Sequence, residues 1–138
     1  MIILDTNVVS QLMTEPDAVM LAWLDRQPWT SLWTTAITVL EIRSGLAVMP
    51  AGQRQSNRKI AFDVLIAKNF ESRVLPFDHA AAEETASLIG TRKRAGRPGE
   101  LRDAMIAGIA LAQRATLATR NVRHFDDLTV PVVNPWDE

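Results

Sequence analysis

Three acidic residues occupy positions at which a carboxylate could do chemistry, and Asp5 is the first of them. It follows the apolar run Met1-Ile-Ile-Leu, which is typical of a buried parallel strand and would deliver Asp5 at the carboxyl end of that strand. Ligands of open α/β sheets bind in the crevice beyond those ends. A helix N-cap or a turn residue is the alternative role for a lone aspartate here.

Glu41 and Asp103 both belong to helical apolar segments. On a helical wheel Glu41 has three near neighbours, Ile37, Gly45 and Val48, so its charge must be protonated, paired with an arginine or bound to a cation. Asp103 falls in the first turn of an apolar helix, where the helix dipole alone would stabilise its charge by roughly 0.3 to 1 kcal/mol. Each residue therefore has a structural explanation when it is taken singly.

Taken together, the three carboxylates predict a metal site. They precede or interrupt apolar segments that must meet in one core, and converging carboxylates raise each other's pKa unless a cation joins them. The chain has no cysteine and two histidines, His79 and His124. An all-oxygen site is therefore expected, which favours Mg²⁺ or Mn²⁺ over zinc.

A fourth polar cluster, Ala118-Thr-Arg-Asn121, follows another apolar run. It too would lie at the carboxyl edge of the sheet. Asn121 can bind a metal through its carbonyl oxygen or hold a water, although turn chemistry is the alternative. Further along, Asp126 and Asp127 are interpreted as solvated loop acids.

The elements that must position these residues alternate between short apolar strands and helices. Strands are predicted over residues 1–5, 31–35, 73–76, 115–119 and 130–133. Helices are predicted over residues 7–13, 16–25, 37–49, 54–70, 79–94 and 101–113, with Pro16 at the first position of the second helix and Asp78 as the N-cap of the fifth. Residues 120–127 are predicted to form a polar loop. The alternation predicts a parallel α/β sheet with helices on both faces.

Composition limits the class of protein. The chain has 138 residues, of which 47% are hydrophobic and 22% charged. Those fractions are typical of one folded domain and exclude disordered, collagen-like and coiled-coil chains. No apolar run approaches the roughly 20 residues that cross a bilayer, and the lack of cysteine is compatible with a reducing compartment. We therefore expect a cytosolic protein without membrane contact.

Five segments resemble, in order and spacing, the PIN-domain family. They are Leu4-Asp-Thr-Asn7-Val-Val-Ser10, Ala36-Ile-Thr-Val-Leu-Glu41-Ile-Arg-Ser-Gly45, Asp103-Ala-Met-Ile-Ala-Gly108, Ala118-Thr-Arg-Asn121 and Val133-Asn-Pro-Trp136. The resemblance covers essentially the whole chain and is greatest to the VapC and FitB toxins of bacterial toxin–antitoxin pairs. It implies a single PIN-like domain over residues 1–138, a three-layer α/β/α sandwich on a central, mainly parallel sheet. The implied activity is Mg²⁺- or Mn²⁺-dependent RNA hydrolysis in the bacterial cytoplasm.

The resemblance also implies roles for the candidate residues. Asp5 and Asp103 would bind the metal directly or through water, and Glu41 would orient a water or act as its base. A metal held in this way lowers the pKa of water and neutralises phosphate oxygens. Asn121 stands where many relatives have a fourth acid, so the number of ions, one or two, stays open. The supporting groups are Thr6, Asn7, Thr119 and Asn121, and Asn121 is also counted with the catalytic residues.

A basic segment precedes Asp103. Residues 92–103 contain five basic and two acidic residues, a net charge of +3, although the whole chain carries a net charge of −1. The basic residues could follow RNA phosphates, or they could lie on a solvated face as partners of a helix dipole. They are Arg92, Lys93, Arg94, Arg97 and Arg102.

The implied partners are RNA as substrate, a second copy of the chain and an antitoxin. Apolar and aromatic residues of the amino-terminal half, Trp23, Trp29 and Trp33, offer limited support for a homodimer, because they could equally be core. An antitoxin tail would lie across the helices 16–25 and 37–70 and insert an arginine, whose guanidinium can bind two carboxylates and displace the metal. DNA would be bound only through the antitoxin.

Two other functions remain open. The missing fourth acid is compatible with a catalytically weak or inactive PIN-fold binding partner in a DNA-binding antitoxin complex. An aspartate-dependent phosphatase also places an aspartate at the end of its first strand. The haloacid dehalogenase-like pattern requires a second acid two residues later, and here that position is Asn7. No G-x-G-x-x-G motif follows a strand, which argues against a dinucleotide-binding enzyme.

Overall fold

The computed structural model describes residues 1–137 and has a five-stranded parallel sheet at its centre. The strands are β1 (Ile2–Leu4), β2 (Leu32–Thr35), β3 (Val74–Leu75), β4 (Thr116–Ala118) and β5 (Val132–Val133), in the order β3-β2-β1-β4-β5. The register pairs Leu4 with Ala118. The carboxyl ends of β1 and β4 are therefore adjacent, and Asp5 follows one as Thr119 follows the other.

Helices cover both faces of this sheet. In the part of the chain that the structure describes they are α1 (Thr6–Leu12), α2 (Ala18–Asp25), α3 (Ala36–Ala47), α4 (Gln53–Val64), α5 (His79–Arg94) and α6 (Leu101–Gln113). Because neighbouring strand residues point to opposite faces, Leu4 packs in one core cluster with Val8 and Phe62. Ile3 packs in the other, with Ile106. The expected three-layer α/β/α sandwich on a parallel sheet is confirmed.

The helices α5 and α6 approach each other closely at Gly108. Thr85 of α5 donates its hydroxyl to the carbonyl oxygen of Ala81 at 2.7 Å and to that of Ala104, in α6, at 3.4 Å. A β-carbon added at Gly108 would lie 1.8 Å from Thr85 Oγ1 and 2.7 Å from the Ala81 carbonyl oxygen. Only glycine fits this contact, which sets the position of the helix that carries Asp103.

Two predicted helix boundaries are wrong. The second helix does not begin at Pro16, because Asp17 is its N-cap and accepts hydrogen bonds from the backbone N–H groups of Val19 and Met20. The helix predicted over residues 54–70 is α-helical only in α4 and then continues as a π-helical segment, Leu65–Asn69. The wider turn ends with a 2.9 Å bond from the Phe70 N–H to the Leu65 carbonyl, and both residues are buried.

The other predicted elements are present, with small shifts at their ends. Residues Trp29–Ser31 form a 3₁₀ turn ahead of β2, and Val122–Phe125 form another inside the predicted polar loop. Asp78 caps α5 as expected, accepting a hydrogen bond from the N–H of Ala81 at 3.0 Å. Among residues 1–137, no helix has both the length and the apolar character needed to cross a membrane.

Candidate active site at the carboxyl edge of the sheet

Asp5 is buried at the carboxyl edge of the sheet and is held there from three sides. Its backbone N–H donates to the carbonyl of Ala118 at 2.9 Å. Its Oδ2 accepts the hydroxyl proton of Thr119 at 2.7 Å, and its Oδ1 accepts the N–H of Thr6 at 2.8 Å. The residue is 4% exposed, and it also caps α1. Asp5 thus lies at the carboxyl edge of the sheet, as predicted, and it is also the N-cap that the sequence offered as the alternative.

The surroundings of Asp5 raise its pKa from 3.8 to about 6. Burial is the largest cause, and the negative charges of Asp103 and Glu41 add to it, while the hydrogen bonds from Thr119 and Thr6 act in the opposite direction. A carboxyl whose pKa is raised in this way favours protonation or the approach of a cation. The structure therefore brings the three acids into one electrostatic environment.

Glu41 is joined to Asp5 through Thr6. The Thr6 hydroxyl donates to Glu41 Oε1 at 2.8 Å and lies 3.0 Å from the hydroxyl of Thr38, while the backbone N–H of Thr6 binds Asp5. α3 begins after its N-cap Thr35, whose hydroxyl accepts the N–H of Thr38. Glu41 Oε2 lies 4.0 Å from the guanidinium of Arg102, the nearest cation, and the Glu41 side chain is 22% exposed.

Asp103 lies in the first turn of α6, as predicted. Its backbone N–H donates to Oε2 of Glu100, the N-cap of this helix, at 3.1 Å. Its Oδ2 lies 3.1 Å from Nδ1 of His124, and the Asp103 side chain is 25% exposed. No sequence motif points to a role for His124. The signal that was available is its place in the loop after β4, at the same edge of the sheet.

The remaining predicted site residues form a network around Asp5. The Asn7 amide nitrogen donates to Asp5 Oδ2 at 3.4 Å and to Thr119 Oγ1 at 3.3 Å, and the Asn7 amide oxygen accepts the N–H of Arg120. Asn121 is exposed and donates its backbone N–H to Thr119 Oγ1 at 3.1 Å. Asn7 and Thr119 therefore hold Asp5 in place, and Asn121 is bound to that network through its backbone.

The donor chemistry of the site suits a hard divalent cation, because carboxylate and hydroxyl oxygens surround a carboxyl of raised pKa. The side chains are not gathered as a coordination shell. Among residues 1–137, no three Asp, Glu or His side chains lie close enough together to hold one ion. Asp5, Glu41 and Asp103 are instead each turned towards a protein partner. An ion would have to draw their free oxygens together, and metal binding by these residues stays a prediction.

The basic segment before Asp103 is not a continuous RNA-binding stripe. Arg92 is wrong as a phosphate-binding candidate, because its side chain is 7% exposed and forms a bidentate pair with Asp127 at 2.8 and 2.9 Å. Arg97 pairs with Asp126, and Arg102 pairs with Glu100, both at 3.1 Å. Lys93 and Arg94 are exposed. Asp127 is accordingly a structural ion-pair partner, in contrast to the solvated loop acid that the sequence suggested.

Replacing Arg92 with methionine should lower the free energy of unfolding at pH 7 by roughly 1.5 to 3 kcal/mol, because it removes charge-assisted hydrogen bonds between a buried arginine and the partly exposed Asp127. The hydrogen bond from Arg92 lowers the pKa of Asp127 from 3.8. The pair therefore stabilises the fold above about pH 4, and this contribution is lost as the pH falls through the folded-state pKa. Urea titrations at pH 7 and pH 3 would measure both effects.

The matched control is Arg94→Met, since Arg94 is an exposed arginine at the same end of α5. It should change stability by no more than about 0.5 kcal/mol. Equal losses in the two variants would contradict a specific role for the Arg92–Asp127 pair. The role of the pair would also be contradicted if Arg92→Met lowered the free energy of unfolding as much at pH 3 as at pH 7.

A cleft of about 400 Å³ opens beside Asp103. Its lining includes Arg97, Gly99, Arg123 and His124. Arg123 belongs to the 3₁₀ turn after β4 and was not among the residues that the sequence singled out. The site is thus an acidic centre at the sheet edge, with a cleft of mixed charge on its α6 side.

The chain is similar to known proteins along nearly its whole length. The family model of the PIN domain matches residues 2–130. The plasmid stability protein StbB of Pseudomonas syringae pv. tomato is 41% identical over 138 residues, and the VapC ribonuclease Y4jK of Sinorhizobium fredii is 40% identical over 138 residues. Each alignment covers 99% of this chain and 99% of the relative.

A solved structure supports the same assignment. The structure of FitAB bound to an IR36 DNA fragment contains a chain that superposes with a TM-score of 0.89 at 34% identity, covering 99% of this chain and 96% of that one. The strand order, the acids at the carboxyl edge and the match to the family model lead to one conclusion. The chain belongs to the PIN domain family.

Proposed function

We propose that this protein is a divalent-metal-dependent ribonuclease, the toxin of a toxin–antitoxin pair. The observation that carries the proposal is the burial of Asp5 at the sheet edge, with its pKa raised to about 6 by burial and by the charges of Asp103 and Glu41. Membership of the PIN family and the 40% identity to a VapC ribonuclease support the same activity.

Each acid has a distinct part in the proposed reaction. Asp5 and Asp103 would hold the ion, since Asp5 is fixed by Thr119 and Thr6 and Asp103 approaches from α6. A bound Mg²⁺ or Mn²⁺ supplies positive charge for the phosphate oxygens and lowers the pKa of a water. Thr6 fixes Oε1 of Glu41, which leaves Oε2 to hold a water or accept its proton.

Cleavage of RNA with and without metal tests this proposal. The purified chain should cut single-stranded or structured RNA in Mg²⁺ or Mn²⁺, and EDTA should abolish the cleavage because the acids alone do not neutralise the phosphate charge. Readdition of the metal should restore it. Undiminished activity in EDTA would contradict a metal-dependent mechanism.

The two other functions make different predictions in the same assay. A catalytically inactive binding partner would cut no RNA in any metal. An aspartate-dependent phosphatase would release inorganic phosphate from monoesters and leave RNA intact. Asn7 holds the position of the second phosphatase acid, and its amide is used to bind Asp5, Thr119 and the N–H of Arg120. This structural use favours the ribonuclease.

We also propose that a cognate antitoxin controls the enzyme by inserting an arginine among the acids. The approach of Arg102 to Glu41, at 4.0 Å, supports the view that this site attracts a guanidinium. The solved FitAB complex bound to DNA supports a partner protein that brings the DNA contact. If ion and arginine compete for the same carboxylates, titrating the purified pair with Mg²⁺ should weaken it.

A homodimer remains part of the proposal, although the tryptophans do not support it. Trp23 is buried in the core, and Trp29 and Trp33 are partly buried against the two core clusters. The alternative that these residues are core therefore accounts for them, and the homodimer stays a prediction. Exposed apolar side chains on α3 and α4, including Leu40 and Ile60, offer alternative contact surfaces.

A further inference from the structure

One exposed arginine beside the site lies over an aromatic ring. The guanidinium carbon of Arg120 is 5.0 Å from the centre of the Trp136 ring. Trp136 is partly buried and packs against the core cluster that contains Leu4 and Ala118. Its backbone N–H donates to the side-chain oxygen of Asn134 at 2.9 Å, which anchors the residue after β5. The ring thus gives Arg120 a fixed support.

The position of Arg120 relative to the acids is set by short links. Its backbone N–H donates to Asn7 Oδ1 at 3.2 Å, and the Asn7 amide nitrogen donates to Asp5 Oδ2. The preceding residue, Thr119, donates its hydroxyl to Asp5. The backbone of Arg120 is therefore linked to the buried carboxylate of Asp5 by two hydrogen bonds through Asn7. Arg120 lies on the side of the site where β4 and β5 end.

We propose that Arg120, supported by Trp136, is a stacking platform for a base of single-stranded RNA next to the bond that is cut. This inference rests on the proposed ribonuclease function and adds a substrate-positioning residue to it. Guanidinium planes and aromatic rings are the groups on which proteins stack unpaired bases. Among residues 1–137, none of the ion pairs involves Arg120, and the partner of its guanidinium in this part of the chain is the Trp136 ring.

The charge of the chain favours a base contact over a purely ionic one. The net charge is −1, and three of the basic residues on the other side of the site are engaged by Asp127, Asp126 and Glu100. Attraction to the phosphate backbone is correspondingly small. Stacking on an exposed guanidinium gives affinity that does not depend on the overall charge.

The test is a binding measurement that separates the contribution of base stacking to RNA affinity from the contribution of the arginine's charge. Fluorescence anisotropy in EDTA would follow a labelled single-stranded RNA and a matched series in which one base at a time is removed. Arg120→Lys keeps the charge but loses the planar group, so it should bind the intact RNA roughly 5- to 150-fold more weakly than wild type. Removing the stacked base should weaken wild type by a similar factor and the lysine variant hardly at all.

Arg43→Lys is the matched control. Arg43 also lies over an aromatic ring, with its guanidinium carbon 4.7 Å from the centre of Phe62, but it pairs with Asp63 at 2.6 Å. Its replacement should leave RNA affinity unchanged. Single-stranded DNA of the same sequence should reproduce the Arg120→Lys effect, since stacking involves the base and not the sugar.

The platform and the nuclease can fail separately. Wild-type affinity in Arg120→Lys would overturn the platform, and so would an equal loss on every member of the base-removal series or the absence of RNA binding by the wild-type chain. A loss of antitoxin binding alone would also overturn it. A base-dependent effect in a chain that cuts no RNA would support the platform and reject the proposed activity.

Discussion

Replacing Asp5 with asparagine should reduce metal-dependent RNA cleavage by about 100-fold or more, a loss typical of removing one group that stabilises transition-state charge. Asp5 is the most buried of the three acids and the one whose pKa is raised, to about 6. The substitution removes its negative charge and leaves its size unchanged. Initial rates of RNA cleavage at saturating Mg²⁺ would measure the effect.

A loss of activity is informative only if the fold survives. The melting temperature of Asp5→Asn at pH 7 should stay close to that of wild type. The neutral asparagine no longer buries a negative charge beside Asp103 and Glu41, which is favourable. This gain offsets the lost carboxylate oxygen that accepts the Thr119 hydroxyl proton. Asp25→Asn is the matched control, because it removes the same charge from an exposed position at the end of α2, and it should cut at the wild-type rate. Wild-type cleavage by Asp5→Asn would reject the assigned site.

Replacing Gly108 with alanine should destabilise the protein by roughly 3 kcal/mol, at the upper end of the usual cost of overpacking a core. The added β-carbon would lie 1.8 Å from Thr85 Oγ1 and 2.7 Å from the Ala81 carbonyl oxygen. Because the second contact is with backbone, rotating a side chain does not remove it. α6 would have to move away from α5 and would carry Asp103 with it. Urea unfolding and RNA cleavage should therefore be impaired together.

Gly45 provides the control within the same chain. It lies in α3, is exposed and would place a new β-carbon in open space, with nothing within 4 Å. Gly45→Ala should stabilise the protein by up to about 1 kcal/mol through helix propensity.

A second variant keeps the prediction testable if Gly108→Ala does not fold. Adding Thr85→Ala removes the 1.8 Å contact but not the one with the Ala81 carbonyl, so the double variant should recover part of the lost stability. If Gly108→Ala unfolded with the same urea midpoint as the wild-type protein, α5 and α6 would not be in contact as described.

The alternation of strands and helices could be predicted from the sequence because short-range patterns of apolar and polar residues determine it. Short apolar runs ending in polar residues predicted β1 and β4, and caps such as Asp78 predicted where helices begin. The π-helical segment after α4 could not be predicted in this way. Leu65 and Phe70, at its two ends, are both buried, and local helix propensity does not indicate that burial.

Ion pairs were the least predictable part of the site. The sequence grouped Arg92 with its basic neighbours, although Arg92 is buried against Asp127, 35 residues later. Arg120 and Trp136 belong to separate sequence motifs, and neither motif indicates that the two side chains lie together. Such contacts depend on which loop packs on which helix. Residue type and local spacing do not determine that packing.

The sequence by itself determined which side chains could do chemistry: Asp5 after a strand, Glu41 on one helix and Asp103 in the first turn of another, with an order of motifs that resembles the PIN family. Only the tertiary structure decided their environment. The raised pKa of Asp5, the Thr6 link to Glu41 and the contact between Asp103 and His124 all join residues from different elements. The reason is physical. Burial and electrostatic interaction depend on distances through space, which packing sets once the helices close on both faces of the sheet.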